Sequence, residues 1–461
     1  MRETDLPIMG SKDREAEEPN FVLSDPGLGF NCPAIHRAEW VVPVSAPPVR
    51  NGAVLTHGGR IMAVGPFDSV RKSSPAGTRL KDHGAAALFP ATVNAHTHLE
   101  LSALRGRIPI PQPGWRQWIE LLFSVRDRTP KCPDDALRIG RAELLDGGTA
   151  FCGDVTNGGA VQNEVLAVQK PSADDSKDNA GSSRRLERQV FIELLGFNLD
   201  SVSAALPPGI DPAFGGRDTV SPHSHGKNGS MPALAPHSVY SVSPAIIAES
   251  KEWTRERGLP FSIHAAEHCE EIEFLQTGTG FCRDLLERLG RWAPKWNPPG
   301  MTPIEYLDRL GVLDSDTLLV HAVHMNESDW RIAAGRGCTA VFCPRSNRNI
   351  GSGSPQIDRA LSLGMTCALG TDSLASNTDL NLFAEAAFTA GNNPSIDPKE
   401  LIEMITVNPA RMLGRSSDLG RITPGAGAHI LAISIPSEVG ESNLYEALIQ
   451  SGKEGALKWA S

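Results

Sequence analysis

The segment Val93-Asn94-Ala95-His96-Thr97-His98-Leu99-Glu100 ends an apolar run, Leu88 to Ala95, that is predicted to be a strand. The two histidines are two residues apart, and on an extended strand this spacing points both imidazoles to the same face. Short motifs of this kind also arise by chance. His223 and His225 have the same spacing in a Gly/Ser/Pro-rich stretch that no apolar run precedes, and we interpret them as loop residues. The function of His96 and His98 therefore has to be judged from the rest of the chain.

Further strand-like runs follow the first one and alternate with helical stretches such as 357–363. They are predicted at 149–154, 189–196, 233–237, 260–264, 317–321, 339–343 and 366–370. Alternating strands and helices are typical of a parallel sheet, and eight such units fit the ~250 residues of a (β/α)8 barrel plus insertions. We therefore predict an α/β fold with a TIM-type barrel at 91–414, and surface loops at the polar insertions 170–187 and 205–232.

The two ends of the chain have a different pattern. Residues 39–90 contain short apolar runs broken by Pro, Asn and Gly, which predict small antiparallel strands, and His429 to Ile435 is a similar run. Each piece alone is too short to form a core, so we expect 39–90 plus 415–461 to build one small β-sandwich domain. Residues 1–38 have no periodicity and are expected to be a poorly ordered arm.

The composition excludes several classes of function. The 461 residues are 40% hydrophobic and 21% charged, and the net charge of -10 argues against a nucleic-acid partner. No apolar run is long enough to cross a membrane, and no apolar leader follows Met1, so we expect a cytoplasmic protein with no membrane partner. The eight cysteines are scattered singly, which suits reduced thiols.

Histidine and aspartate are concentrated at the predicted strand ends, where barrels of this type place their active sites. The residues concerned are His96, His98, His237, His264, His321 and Asp372. The paired histidines, His264 and Asp372 would form an N3O ligand set that suits zinc or, alternatively, ferrous iron. We therefore expect one divalent metal ion, with zinc preferred.

Two further residues are catalytic candidates beside this ligand set. Glu267 follows His264 by three residues, and a carboxyl group there can transfer protons between water and substrate. Its alternative interpretation is a Glu that the helix dipole favours at a helix start. His321 would hydrogen-bond the water or the tetrahedral intermediate, or it could be a core histidine satisfied by the backbone. Asp372 would orient the nucleophile in addition to binding the metal.

Taken together, these residues resemble the amidohydrolase superfamily, in particular its mononuclear aminohydrolase branch of adenosine-type, S-adenosylhomocysteine and cytosine deaminases. The resemblance rests on 94–100, His264-x-x-Glu267, His321 and Gly370-Thr371-Asp372-Ser373. It implies that His237, within 235–243, and Ser373 contact the substrate. Binuclear relatives use a lysine near strand 4, and the stretches 190–225 and 232–249 contain none. One metal ion is therefore expected.

The segments 98–102 and 343–347 look like the aminodeoxyfutalosine deaminases of the menaquinone route, whose substrate is an adenosine-like nucleoside that carries a benzoate. This resemblance implies that Arg345 pairs with the carboxylate through its planar guanidinium. It also implies that Glu100 holds a ribose hydroxyl.

The predicted activity is hydrolytic deamination of an adenine-type nucleoside, with aminodeoxyfutalosine as the first candidate. S-adenosylhomocysteine, methylthioadenosine and other nucleobases are alternative substrates, as are chlorotriazines and other cyclic amidines. A non-catalytic scaffold is disfavoured, because the complete ligand set and Glu267 are present. The expected partner is a small-molecule nucleoside or nucleobase, and a homodimer remains open.

Overall fold

The structure is a computed structural model that describes residues 32–129, 133–157, 186–210 and 231–461. The expected arm up to residue 31 lies outside these ranges, and so do 170–185 and 211–230 of the predicted insertions. The first strand, β1 (Ala34–Val41), begins inside the segment that the sequence assigned to the arm, so residues 34–38 are strand instead.

Eight parallel strands follow the chain order in two four-stranded sheets. The first sheet contains β6 (Thr92–Thr97), β7 (Thr149–Thr156), β8 (Glu187–Leu194) and β9 (Ala233–Pro236). The second contains β10 (Phe261–Ala265), β11 (Thr317–His321), β12 (Thr339–Phe342) and β13 (Thr366–Leu369). Isolated parallel bridges join Thr97 to Asp372 and Ser238 to His264, one at each edge where the sheets meet. The predicted α/β class and its eight parallel strands are confirmed.

Nearly every residue of these strands is buried, as expected for a parallel sheet that is covered on both faces. Helices lie between the strands, and they span Leu99–Leu104, Trp115–Arg128, Pro133–Asp146, Val202–Ala205, Pro244–Glu256, Cys269–Thr277, Phe281–Arg288, Pro303–Arg309, Glu327–Gly335, Pro344–Ile350 and Ile357–Ser362. After β13 come helices at Leu382–Asn392, Pro398–Met404 and Val407–Met412. The helix expected at 357–363 is therefore present and one residue shorter.

Both ends of the chain contribute to one seven-stranded mixed sheet. It contains β1, β2 (Val49–His57), β3 (Arg60–Pro66), β4 (Arg79–Asp82), β5 (Ala86–Pro90), β14 (Ile430–Ser434) and β15 (Leu457–Trp459). Helices at Phe67–Ser73, Glu441–Asn443 and Leu444–Lys453 accompany these strands. The expectation of antiparallel strands is wrong for two pairs, because β1 runs parallel to both β4 and β5.

The apolar run 88–95 is two strands, not one. Its first half belongs to β5, which pairs with β14, and its second half belongs to β6 in the parallel sheet. Pro90 lacks an amide hydrogen and ends β5, and the next amide, that of Ala91, donates to the carbonyl of His429. The chain therefore passes from one sheet to the other just before the histidine pair.

Two simpler expectations can be compared with the described residues. Seven of the cysteines lie in these ranges, and all seven are free thiols. No helix in the described ranges has both the length and the apolar character needed to cross a bilayer.

Candidate metal centre

Three imidazoles converge at the carboxyl ends of β6 and β10. One ring nitrogen each from His96, His98 and His264 lies within 4.8 Å of the others, and all three residues are buried. The Nε2 atoms of His96 and His264 are 3.3 Å apart. The carboxylate oxygen Oδ1 of Asp372, which follows β13, is 4.0 Å from His96 Nε2 and 3.9 Å from His98 Nε2. The four predicted ligands are therefore brought together.

The hydrogen bond of His264 Nδ1 determines which ring nitrogen has a free lone pair. Its Nδ1 is 2.9 Å from the backbone oxygen of His237, and because a carbonyl only accepts, Nδ1 must carry the hydrogen. The Nε2 lone pair then points at His96. Burial lowers the pKa of both His96 and His264 well below the usual value, so both rings are neutral. Neutral imidazoles that face a carboxylate fit a divalent cation.

Asp372 is held with one oxygen directed at the imidazoles. Its Oδ2 accepts hydrogen bonds from the hydroxyls of Ser346 at 2.6 Å and Ser376 at 2.9 Å. Burial alone would raise the pKa of Asp372, but the charges of His98 and His321 and the Ser346 hydrogen bond lower it overall. The group is therefore an ionised carboxylate. Its backbone has a φ of 55°, a strained value for a residue with a side chain.

Glu267 and His321, the two predicted catalytic side chains, face each other beside the ligands. Glu267 Oε1 is 3.4 Å from His321 Nε2, and the Asn347 amide lies 3.0 Å from the other ring nitrogen of His321. Burial, and then the negative charges of Asp372 and Glu271, raise the pKa of Glu267 well above the usual value. A carboxyl group whose pKa is raised in this way holds its proton more readily and can act as a proton donor.

A cavity of about 560 Å³ opens from these residues toward the surface. The catalytic end is lined by His98, His264, Glu267 and Asp372, and the predicted substrate contacts Glu100, His237 and Ser373 also line the wall. Apolar side chains of two helices, Trp115–Arg128 and Phe281–Arg288, form much of the remainder. The cavity is thus continuous with the predicted metal ligands and large enough for a small organic substrate.

The predicted substrate-binding residues differ in how firmly they are held. The ring nitrogen Nδ1 of His237 is 2.6 Å from the Ser241 hydroxyl, so its Nε2 edge is left for the cavity. Glu100 is held in place by hydrogen bonds from the Thr156 hydroxyl at 2.6 Å and the Asn157 amide at 3.2 Å. Both residues can still offer a polar atom to a ligand.

The structure does not bring Arg345 to the cavity. Its guanidinium donates two hydrogen bonds to the Asp379 carboxylate, at 2.7 and 2.6 Å, and a third to the Thr378 hydroxyl at 2.8 Å. It is not among the residues that line the described part of the cavity. Its planar group therefore stabilises the loop after Asp372 in this structure.

Sequence reasoning missed Glu193, which lines the cavity from the end of β8. Burial raises the pKa of Glu193 to about 7, and its Oε2 accepts a hydrogen bond of 2.7 Å from the Asn157 side chain. The available signal was an acidic residue inside the apolar run Phe191-Ile192-Glu193-Leu194. Burial of such a group requires a reason, and polar residues at strand ends are the usual one.

Glu193, His237 and His264 form a second group whose ligand atoms are within 4.8 Å of one another. The two groups share His264. Because His264 Nδ1 donates to a backbone carbonyl, this ring has one lone pair and can bind one ion. The two groups are therefore alternatives and not a pair of occupied sites.

Parallel strands that carry three histidines, an aspartate and a buried glutamate at their carboxyl ends are typical of the class of metal-dependent hydrolases. The chain belongs to the amidohydrolase family, whose family model matches residues 87–455. This membership implies a TIM-barrel-type α/β fold, and together with the imidazole cluster it supports a divalent metal ion in the protein.

Three similar proteins place the chain within this family. It is 30% identical over 403 residues to the 5-methylthioadenosine/S-adenosylhomocysteine deaminase of Nitratidesulfovibrio vulgaris, covering 84% of this chain and 80% of the relative. It is 29% identical to the aminodeoxyfutalosine deaminase of Deinococcus radiodurans, covering 79% and 81%. The fold is similar to the crystal structure of an adenosine deaminase from Xanthomonas campestris with bound zinc, at a TM-score of 0.68, 23% identity and 92% and 90% coverage.

Proposed function

We propose that this protein is a hydrolytic deaminase that replaces the exocyclic amino group of an adenine-type nucleoside with oxygen. The observation that carries the proposal is the buried Glu267 carboxyl group, which lies 3.4 Å from His321, has a raised pKa and lines a cavity next to the predicted metal ligands. The names of the two relatives at 30% and 29% identity support a nucleoside as the substrate.

The metal would be a single divalent ion, with zinc as the first choice and iron as the second. His96, His98, His264 and Asp372 would hold it, and the shared lone pair of His264 supports a single ion. When bound, such an ion lowers the pKa of a coordinated water toward ~7 and makes it a nucleophile at neutral pH.

The residues around the metal would control the protons of the reaction. Water adds to the ring carbon that bears the amino group, and Glu267 donates its proton to the adjacent ring nitrogen. Asp372 and His321 orient the attacking oxygen. The first proton of the water passes through Glu267 to the amino group, and the carbon–nitrogen bond breaks to release ammonia. The remaining hydroxyl proton returns to Glu267 as the carbonyl group forms.

The residues that line the cavity favour, as substrate, a nucleoside with a substituent on its sugar. His237 and Ser373 line the catalytic end, where a base would lie, and Glu100 could accept a hydrogen bond from a ribose hydroxyl. Beyond them the wall is apolar, which suits a thioether or aryl arm. Aminodeoxyfutalosine, S-adenosylhomocysteine and methylthioadenosine are the first candidates. The Asp379 ion pair removes the support for Arg345 as a partner of the substrate carboxylate.

We also propose the finer architecture that the function needs. The eight strands would close into one barrel across the bridges Thr97–Asp372 and Ser238–His264. Residues 39–90 and 415–461 would form a small β domain beside a barrel at 91–414. The sandwich form of that domain and a homodimer stay predictions.

An ammonia-release screen tests the function directly. Purified protein with its metal content measured should release ammonia from at least one of aminodeoxyfutalosine, S-adenosylhomocysteine, methylthioadenosine and adenosine. If none of them reacts while a chlorotriazine does, the site hydrolyses other cyclic amidines and the proposal is wrong. Absence of stoichiometric metal and of all turnover would favour the non-catalytic alternative.

A further inference from the structure

A buried side-chain amide lies behind His321, on the side of the ring away from Glu267. The Nδ2 nitrogen of Asn347 is 3.0 Å from His321 Nδ1, and Glu267 Oε1 is 3.4 Å from the opposite ring nitrogen, Nε2. Asn347 and His321 are both buried, with 0% and 2% of their surface exposed. The hydrogen bond at Nδ1 therefore determines what His321 presents to Glu267 at Nε2.

Packing fixes the orientation of the His321 ring. His321 and Ala322 have φ values of 76° and 49°, and the Ala322 amide donates to the Ala265 carbonyl at 3.1 Å. Such strained conformations persist only where the surrounding structure holds them. The ring is stacked on His264, with 5.2 Å between the ring centroids, and it meets His96 edge-on at 5.8 Å. Because packing already holds the ring, what a neighbour at Nδ1 still decides is which nitrogen carries the hydrogen.

The helix that follows β12 holds Asn347 in place. Asn347 lies on the helix Pro344–Ile350, and its backbone amide donates to the Cys343 carbonyl at 2.9 Å. The preceding residue, Ser346, donates a hydrogen bond of 2.6 Å to the Asp372 carboxylate. Two consecutive residues of this helix therefore contact two different groups of the site.

The chemistry of the amide determines the hydrogen on the ring. Nδ2 of Asn347 is a donor without a lone pair to offer, so His321 Nδ1 has to be the acceptor. A neutral imidazole has one donor and one acceptor nitrogen, so the hydrogen of His321 is on Nε2. In this tautomer Nε2 has no lone pair for the proton of Glu267, and it can donate a hydrogen bond to an oxygen at the reacting centre.

We infer that Asn347 is a positioning residue that holds His321 in the tautomer with its hydrogen on Nε2. The inference rests on the proposed function and deepens it, because it makes His321 a donor to the attacking oxygen and leaves the Glu267 proton to the substrate. In the opposite tautomer, a lone pair on Nε2 would accept the hydrogen of Glu267 and compete with the substrate for it. Asn347 is not among the residues that line the described part of the cavity, so it acts through His321.

The first experiment determines the tautomer in the unmodified protein. In the zinc-loaded protein with isotope-labelled histidine nitrogens, NMR distinguishes a ring nitrogen that carries a hydrogen from one that does not. The variant His321→Gln identifies the His321 signals by their loss. We expect Nε2 of His321 to carry the hydrogen and Nδ1 to carry none. The reverse assignment would overturn the inference without any assay of turnover.

The second experiment changes the chemistry at Nδ1 and keeps the shape of the side chain. In Asn347→Asp the carboxylate only accepts, so the hydrogen should move from Nε2 to Nδ1 in the NMR spectrum. We expect kcat to fall by about 10²–10⁴-fold, the scale of loss when a catalytic histidine is held in the wrong tautomer. KM should stay within about threefold, because binding of the substrate in the ground state does not need this hydrogen.

A third variant separates the tautomer from the packing. Asn347→Leu offers Nδ1 neither a donor nor an acceptor, and its kcat should lie between those of the wild type and Asn347→Asp. A purely structural role predicts the opposite order, because Asp matches Asn more closely in shape and polarity than Leu does. Metal content and thermal unfolding show whether each variant folds, and the tautomer of the unmodified protein decides the inference if Asn347→Asp does not.

Asn408→Asp is the matched control. Asn408 is half-buried, and its Nδ2 donates to the Cys367 carbonyl near the start of β13, whereas Asp372 follows the end of that strand. This substitution should leave kcat, KM and the His321 tautomer unchanged. If Asn347→Asp moves the hydrogen to Nδ1 but keeps the wild-type kcat, or lowers kcat no more than Asn347→Leu does, Asn347 does not act through the tautomer. If no adenine nucleoside is deaminated, the proposed function fails, while the NMR spectra still show whether Asn347 sets the hydrogen on His321.

Discussion

Replacing Gly370 by alanine should disturb the metal site without replacing any ligand side chain. Gly370 follows β13 and packs against the backbone of β6. A Cβ atom at this position would lie 2.8 Å from the His96 carbonyl oxygen, 2.9 Å from His96 Cβ and 3.0 Å from the His96 amide nitrogen. Two of these three atoms are backbone, so no side-chain rotation relieves the contact.

The size of the effect follows from these distances. Ordinary contacts begin near 3.4 Å, so His96 must move by about 0.6 Å, and metal sites tolerate displacements of only ~0.5 Å. The amides of Thr371 and Asp372 both donate to the His96 carbonyl at 3.1 Å, so a shift there also displaces the Asp372 ligand. We expect metal affinity to fall by at least ~10-fold and the free energy of unfolding to fall by about 1–3 kcal/mol.

Metal analysis after dialysis, zinc titration and urea unfolding would measure these changes. Gly391→Ala is the matched control, because its Cβ would meet no atom within 4 Å and its backbone is helical. That substitution should leave metal binding unchanged and stabilise the protein by up to ~1 kcal/mol. If Gly370→Ala keeps wild-type metal affinity and turnover, the packing of β13 against His96 does not position the ligands.

Three other perturbations have defined outcomes. Glu267→Gln should lower kcat by ~10²–10⁴-fold with no loss of metal or of thermal stability, because it removes only proton transfer; metal analysis beside ammonia release checks this. Burial raises the pKa of Glu271 to about 8, whereas a glutamate in the unfolded chain has a pKa of ~4.3. Between these two pH values the folded state keeps a proton that the unfolded state has lost, so the free energy of unfolding falls as the pH rises. Glu271→Gln should therefore flatten the stability profile between pH 5 and 8 by up to ~1.4 kcal/mol per unit, and an unchanged slope in urea unfolding would contradict this. Asp314→Asn should destabilise the fold by ~1–3 kcal/mol, since it leaves the buried ammonium of Lys251 without its carboxylate, whereas Lys251→Met should cost less in the same measurement.

The sequence predicted the metal ligands because a simple geometric rule places them. In a parallel α/β fold the carboxyl ends of the strands lie on one side, however long the connections are. His96, His264 and Asp372 are separated by more than a hundred residues, yet each follows an apolar run that could be recognised on its own. Their convergence therefore needed no knowledge of the loops.

The predicted strand 88–95 shows the limit of this kind of prediction. An apolar run indicates that a segment is buried, but it does not indicate which sheet the segment joins. Residues 88–95 are all buried, although they belong to two sheets. The division at Pro90 depends on β14, which begins at Ile430 and pairs with β5. A pairing partner from the far end of the chain is not encoded in the local pattern.

Substrate recognition was harder to predict than the metal site for a related physical reason. Arg345 closely follows the predicted strand 339–343, whereas Arg291 lies far from the predicted strands 260–264 and 317–321, yet it is Arg291 that lines the cavity. Arg345 is paired with Asp379, which neutralises it, while Arg291 lines the cavity and has no carboxylate partner among the described residues. A charge can recognise a ligand only if the protein has left it unpaired, and pairing is a property of tertiary contacts between loops. It follows that the chemistry of this enzyme can be inferred from its strand ends, whereas its specificity has to be sought in the helix–loop junctions that surround them.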